Sequence, residues 1–285
     1  MPRIVGVHGI AQQVRGAEVL RAAWMPALRD GVTLSGAEPP EWADLEIAFY
    51  GDLFRAQDGK AAGGPAYVAT DVDEGFEQEL LEAWWAGAAA SDNGVPAPGA
   101  ATKVRTPRVA QRALNALSQS PFFVDLTEPL LIGSLKQVHA YLSDDSIRGQ
   151  IQARVDRLVG PDTAVLIGHS LGSVAAYEAA CAHPEWDVTL VTLGSPLGIR
   201  NLVFDRLRPP PQDGRGQFPA GAASWTNIAD SGDAVALVKQ LAPLFGDQVQ
   251  DLLVHNGSKA HDVSPYLTAA QTGRAIAEGL GRHAR

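Results

Sequence analysis

Thr163-Ala164-Val165-Leu166-Ile167-Gly168-His169-Ser170-Leu171-Gly172-Ser173 is the stretch whose reading decides the fold. Its first five residues are the apolar, largely β-branched run of a strand buried on both faces of a parallel sheet. The sequence then breaks at Gly168 and resumes as a small-residue helical pattern from Ser173 to Ala182, ending before Pro184. Strand, G-x-S-x-G, helix is the order of a strained turn that lifts a serine hydroxyl to the C-terminal edge of a sheet. The residues two positions either side of that serine approach so closely that a Cβ on either would clash, which accounts for both glycines. The same turn sets the Leu171 N–H at the start of a helix, where it can stabilise an oxyanion. The bare five-residue pattern turns up by chance in roughly one chain of this size in seven; the flanking strand and helix give it weight.

Outward from this segment, strands and helices alternate. Arg3-Ile4-Val5-Gly6-Val7 forms an early strand that breaks at His8-Gly9. Residues 17–29 form a helix through Val19, Leu20, Ala23, Trp24 and Leu28, with Pro26 expected to kink or shorten it and Gly31 to stop it. Leu45 to Tyr50 is a second strand. Two helices follow at 127–142 and 146–159, then strands at Val188–Leu193, Ala223–Ile228 and Leu252–His255. This alternation predicts an α/β domain with a mostly parallel central sheet flanked by helices. The chain of 285 residues is read as a single such domain, 1–285.

One stretch, roughly 52–125, breaks the alternation. It holds a Gly/Ala-rich loop, the helical segment FEQELLEAWWAGAAA, a turn-rich linker, a helix around Val109 to Leu117 and a closing Pro121-Phe122-Phe123, without a convincing strand. It is expected to be a helical insertion. Phe76, Leu80, Trp84 and Trp85 make an apolar stripe that either packs on the main domain or acts as a lid over a substrate pocket.

Composition narrows the function. Hydrophobic residues make up 46% and charged residues 19%, enough to build a core, and the net charge of −9 argues against nucleic acid as a partner. The lone Cys181 allows no intramolecular disulfide and no cysteine-based zinc site, and it is expected to be a small core residue. No cofactor or metal motif is found: no G-x-G-x-x-G opening a helix, no P-loop, no H-E-x-x-H. With no leader-like N-terminus and no long apolar run, a cytoplasmic chain without a transmembrane segment is expected.

Val-His-Gly-Ile at 7–10, Gly-His-Ser-Leu-Gly at 168–172 and Thr-Leu-Gly-Ser-Pro-Leu at 192–197 resemble the lipase and esterase branch of the α/β-hydrolase family. The resemblance covers roughly 1–51 and 127–285. It implies the α/β-hydrolase fold and a catalytic triad in the chain order serine, acid, histidine, with Ser170 as nucleophile. It places a second oxyanion N–H at Ile10, after His8-Gly9. The acid belongs on the loop after the strand ending near Ile228, where Asp233 is similar to the family's Asp-x-Val motif and Asp230 is the alternative. The histidine belongs on the loop after the last strand, where His261 fits, ahead of a helix opened by Ser264-Pro265. His8, His169, Trp84 and Trp85 are expected to line the substrate pocket. The activity implied is hydrolysis of carboxylic esters of a small-molecule or lipid-like acyl substrate. Acyl transfer or thioester cleavage would use the same triad, and a non-catalytic scaffold is the reading from a different class.

Overall fold

The computed structural model describes residues 1–55, 67–99, 106–120 and 127–283. Strands β1 (Ile4–Val7), β2 (Leu45–Ala48), β3 (Val165–His169), β4 (Val188–Leu193), β5 (Ala222–Asp230) and β6 (Val249–Val254) form one sheet in the order β2-β1-β3-β4-β5-β6. Every neighbouring pair is parallel. The expected α/β architecture is therefore present, with the apolar strands in the interior.

The side-chain period of two divides the core between the faces of the sheet. Ile4, Val165, Ile167, Val191 and Leu193 pack with α1 (Ala17–Leu34), α8 (Val263–Thr268) and α9 (Ala270–His283). Val5, Val7, Leu166 and Leu190 pack on the opposite side. Their partners are α2 (Phe76–Ser91), α3 (Thr106–Leu117), α4 (Glu128–Ser143), α5 (Asp145–Asp156) and α6 (Leu171–Ala182). A short α7 (Ala242–Phe245) precedes β6.

Local details depart from the sequence expectations, each for a physical reason. Helix α1 runs through both Pro26 and Gly31. An interior proline costs a helix about 3 kcal/mol, and burial of Leu20, Trp24, Met25, Leu28 and Val32 along one face outweighs it. Gly31 serves a helix crossing: a Cβ there would lie 2.1 Å from the Leu267 carbonyl oxygen, and one on Gly273 of α9 would lie 1.9 Å from the Gly31 oxygen. Val19 is exposed and lies off the buried stripe. Strand β5 continues to Asp230, so that residue ends a strand, and β6 stops at Val254, leaving His255 exposed outside it. Helix α8 is capped by Asp262, whose carboxylate accepts the Ser264 N–H at 3.0 Å, so Ser264 is inside the helix and is not its cap. Cys181 is half-buried on α6 and borders a cavity.

Between 52 and 125, the described residues hold α2, α3 and short turns, with no strand. The Gly/Ala-rich loop at 60–66 and Pro121-Phe122-Phe123 lie outside the described residues. Leu80, Leu81, Trp84 and Ala88 are buried in the same cluster as Val5 and Leu166. A Cβ on Gly87 would touch the Leu237 side chain at 2.4 Å, so α2 rests directly on the segment after β5. Among the described residues, no helix is long and apolar enough to cross a membrane.

Candidate functional site

The chain passes from β1 out to β2, then returns to place β3 on the other side of β1. Such a reversal opens a crevice at the C-terminal ends of the two strands, where ligands of open α/β sheets bind. His8, Gly9 and Ile10 follow β1 there, and Ser170 follows β3. The crevice is a cleft of about 560 Å³.

Ser170 has φ 52° and ψ −129°, a region that L residues rarely adopt. Holding a side chain there costs about 1–3 kcal/mol, and the surroundings enforce it. The Ser170 N–H is bound to the Leu193 carbonyl at 3.0 Å. The glycines behave as the spacing requires: a Cβ on Gly168 would lie 2.4 Å from the Ser173 Cα, and one on Gly172 would lie 2.2 Å from the Val7 oxygen. Gly9 is equally tight, since a Cβ there would meet the Ser170 Cβ at 2.8 Å. The Ile10 and Leu171 backbones therefore flank the serine, Leu171 as the first residue of α6.

His261 reaches the serine from the loop after β6. Its Nε2 lies 3.0 Å from the Ser170 Oγ, and its Nδ1 lies 2.8 Å from Asp233 Oδ2. Asp233 is buried, and its Oδ1 accepts the Val235 and Ala236 N–H groups at 2.8 and 3.1 Å. Burial alone would raise its pKa, but the charge and hydrogen bond of His261 and the backbone donors outweigh that and hold it down at about 2. Asp230 faces elsewhere: its carboxylate accepts the Gly232 and Asn256 N–H groups and fixes the loops after β5 and β6. Of the two sequence candidates, Asp233 meets His261. In this arrangement a carboxylate orients an imidazole whose free nitrogen can take a proton from an alcohol.

Gly194, in the Thr-Leu-Gly-Ser-Pro-Leu segment, lies against this pair. It has φ +54°, and a Cβ there would lie 2.8 Å from Asp233 Oδ2 and 3.2 Å from His261 Nδ1. Its neighbour Ser195 accepts a hydrogen bond from Ser173 at 2.7 Å, bracing the first turn of α6.

The two neighbouring histidines are neutral struts. Burial lowers the His8 pKa to about 4 and that of His169 to about 3. His8 donates from Nδ1 to the Gly9 carbonyl at 2.7 Å and accepts the Tyr50 N–H at Nε2, 3.0 Å. His169 Nε2 donates to the backbone carbonyl of His261 at 2.9 Å. Both border the cleft. Trp84 does too, with Leu20, Trp24, Leu130 and Val235. Trp85 does not: neighbours on a helix point about 100° apart, and its indole N–H instead donates to the Pro96 carbonyl at 2.6 Å.

Two residues of the site carry no sequence signal that singles them out. The Tyr266 hydroxyl donates to Asp233 Oδ2 and accepts the Asp230 N–H, both at 2.8 Å, joining the two aspartates. Gln137 on α4 accepts the Ala11 N–H at 3.1 Å. Neither spacing nor residue type marks them, because their partners lie 33 and 126 positions away.

Among the described residues, Asp73, Glu77 and His139 could converge on a cation, their donor atoms lying within 4.8 Å of one another. The buried Glu77 is already paired with Lys136 at 3.1 Å and His139 at 3.0 Å, so a lysine supplies the positive charge.

A scan against protein-family models found no match, and searches of curated proteins and of solved structures found no relative.

Proposed function

We propose that the protein is a serine hydrolase of the α/β-hydrolase type that cleaves carboxylic esters of apolar acyl groups. The observation carrying this reading is the unbroken contact line from Ser170 Oγ through His261 to the buried Asp233, with the serine held in a strained turn at the crevice. His261 takes the Ser170 proton as the hydroxyl attacks the acyl carbonyl. Asp233 keeps the proton on Nδ1 and stabilises the imidazolium. The N–H groups of Ile10 and Leu171 bind the oxyanion, and a preorganised donor of this kind contributes about 3 kcal/mol. His261 then protonates the leaving alcohol, and water activated by the same imidazole releases the acid. The apolar wall formed by Leu20, Trp24, Trp84, Leu130 and Val235 suits an acyl chain.

A fluorophosphonate probe tests the reading. Wild type is expected to be labelled at Ser170, and Ser170→Ala to stay unlabelled. A panel of p-nitrophenyl esters of increasing acyl length, run beside thioesters and amides, is expected to show turnover of esters first. A folded wild-type protein that neither reacts with the probe nor hydrolyses any ester would make the chain a non-catalytic scaffold.

A further inference from the structure

We propose that Gln137 is a positioning residue for the oxyanion site: its side-chain amide latches the loop after β1 in the shape that aims the Ile10 N–H at the reacting carbonyl. The inference rests on the hydrolase reading and adds a residue to its machinery.

The loop cannot hold that shape by itself. Ala11, directly after Ile10, has φ +61°, a left-handed conformation that an L residue adopts only against a steric penalty. If Ala11 relaxed to negative φ, the flanking planes, which carry the Ala11 and Gln12 N–H groups, would turn. Because Arg55 anchors the far end of the loop at the Gln13 and Arg15 carbonyls, the adjoining Ile10 would have to rotate in compensation and its own N–H would be re-aimed. An external partner must oppose this, and Gln137 is placed to do so. It is only 5% exposed, on the buried face of α4 with Leu131, Ser134 and Val138, and its Oε1 accepts the Ala11 N–H at 3.1 Å. The amide's other end donates to Gln13 Oε1 at 3.3 Å, which fixes which way the amide faces. Other loop contacts bind carbonyls: those of residues 8, 9, 10, 13 and 15 through the side chains of Tyr50, His8, Gln12 and Arg55, and that of residue 12 through the Arg15 N–H. Gln137 is the side chain that takes the N–H of the left-handed residue itself.

Gln137→Met removes the acceptor while keeping the length of the side chain. The expected result is a kcat on p-nitrophenyl esters 10- to 100-fold lower with KM within 2-fold. A trifluoromethyl ketone, which forms a tetrahedral oxyanion on Ser170, should bind weaker by the same factor as kcat. The corresponding plain alcohol, which forms none, should bind as it does to wild type. A purely structural role would weaken both ligands together or lower only the melting temperature, and either result overturns the proposal, as does an unchanged kcat. If the Met variant does not fold, Gln137→Asn, whose shorter amide cannot reach Ala11, is measured against the same criteria. Failure of the hydrolase reading is distinguished by the wild type, which would then show neither turnover nor phosphonylation of Ser170.

Discussion

Replacing Asp233 by Asn separates the two aspartates near the end of β5 by what each one touches. Asparagine is nearly isosteric, and its oxygen can keep the Val235 and Ala236 N–H groups that Asp233 Oδ1 now accepts. Its NH2 group then occupies the place of Oδ2, 2.8 Å from His261 Nδ1. A donor there obliges Nδ1 to accept, which moves the imidazole proton to Nε2, facing Ser170 Oγ at 3.0 Å. That tautomer has no lone pair to receive the serine proton, and it has no carboxylate to stabilise the imidazolium. In a triad such a change lowers kcat by about 10⁴-fold, equivalent to roughly 5 kcal/mol of transition-state stabilisation. Asp230→Asn weakens one of two side-chain-to-backbone hydrogen bonds and leaves the Asp230 N–H on the Tyr266 hydroxyl, since only the backbone of this residue reaches the site. It should cost about 1–2 kcal/mol of stability and leave kcat within about 10-fold, the scale of a small loop displacement. The assay is kcat for p-nitrophenyl butyrate beside melting temperature for both variants. A kcat collapse in Asp230→Asn with near-normal turnover in Asp233→Asn would falsify the assignment of the acid.

Further outcomes are expected. Tyr266→Phe leaves the buried Asp230 N–H without its acceptor and Asp233 without one donor; unfolding in urea should show about 1–3 kcal/mol lost, and an unchanged midpoint would contradict the bridging role. Gly194→Ala drives a methyl against the Asp233–His261 contact and adds backbone strain; fluorophosphonate labelling should slow by at least about 10-fold in the folded variant, and wild-type labelling would show that the contact tolerates displacement. His8 has a pKa near 4 when folded and 6.5 as its ordinary value, so the native state binds fewer protons between these limits. The stability due to its neutral form is complete above pH 6.5 and is lost as pH falls toward 4, by about 3 kcal/mol; urea unfolding at pH 7, 5.5 and 4 should show this, with a shallower decline in His8→Gln. Trp84→Phe should move the acyl-length optimum upward, whereas Trp85→Phe, away from the cleft, should not; equal shifts in both would remove Trp84 from the pocket wall.

What was legible in the sequence was what short-range pattern encodes. The apolar runs at Ile4–Val7, Val165–Ile167 and Val188–Leu193 announced the sheet, and the glycines around Ser170 announced the turn, because each depends on residues within five positions. Pro26 and Gly31 misled because their meaning is tertiary: one is tolerated by the burial around it, and the other admits a second helix. The choice between Asp230 and Asp233 turned on a three-residue offset after a strand whose end could not be placed from the pattern alone; once β5 runs to Asp230, that side chain is committed to the Asn256 and Gly232 backbones. Tyr266 and Gln137 were invisible because their roles consist of single hydrogen bonds to distant segments. Ala11 gave no warning either, since nothing in an alanine announces a left-handed backbone.

Helix α2 lies against the segment that follows Asp233 with only a hydrogen atom's width to spare at Gly87. Engineering aimed at the shape of the cleft would naturally cut or graft this helix, because Trp84 on it borders the cleft. Such surgery removes a buttress as well as a wall: the segment it supports begins at Ala234, next to the aspartate whose carboxylate meets the His261 imidazole. Changes of specificity made there should arrive coupled to changes of rate, and a graft that keeps the glycine contact is the one best placed to alter the first without the second.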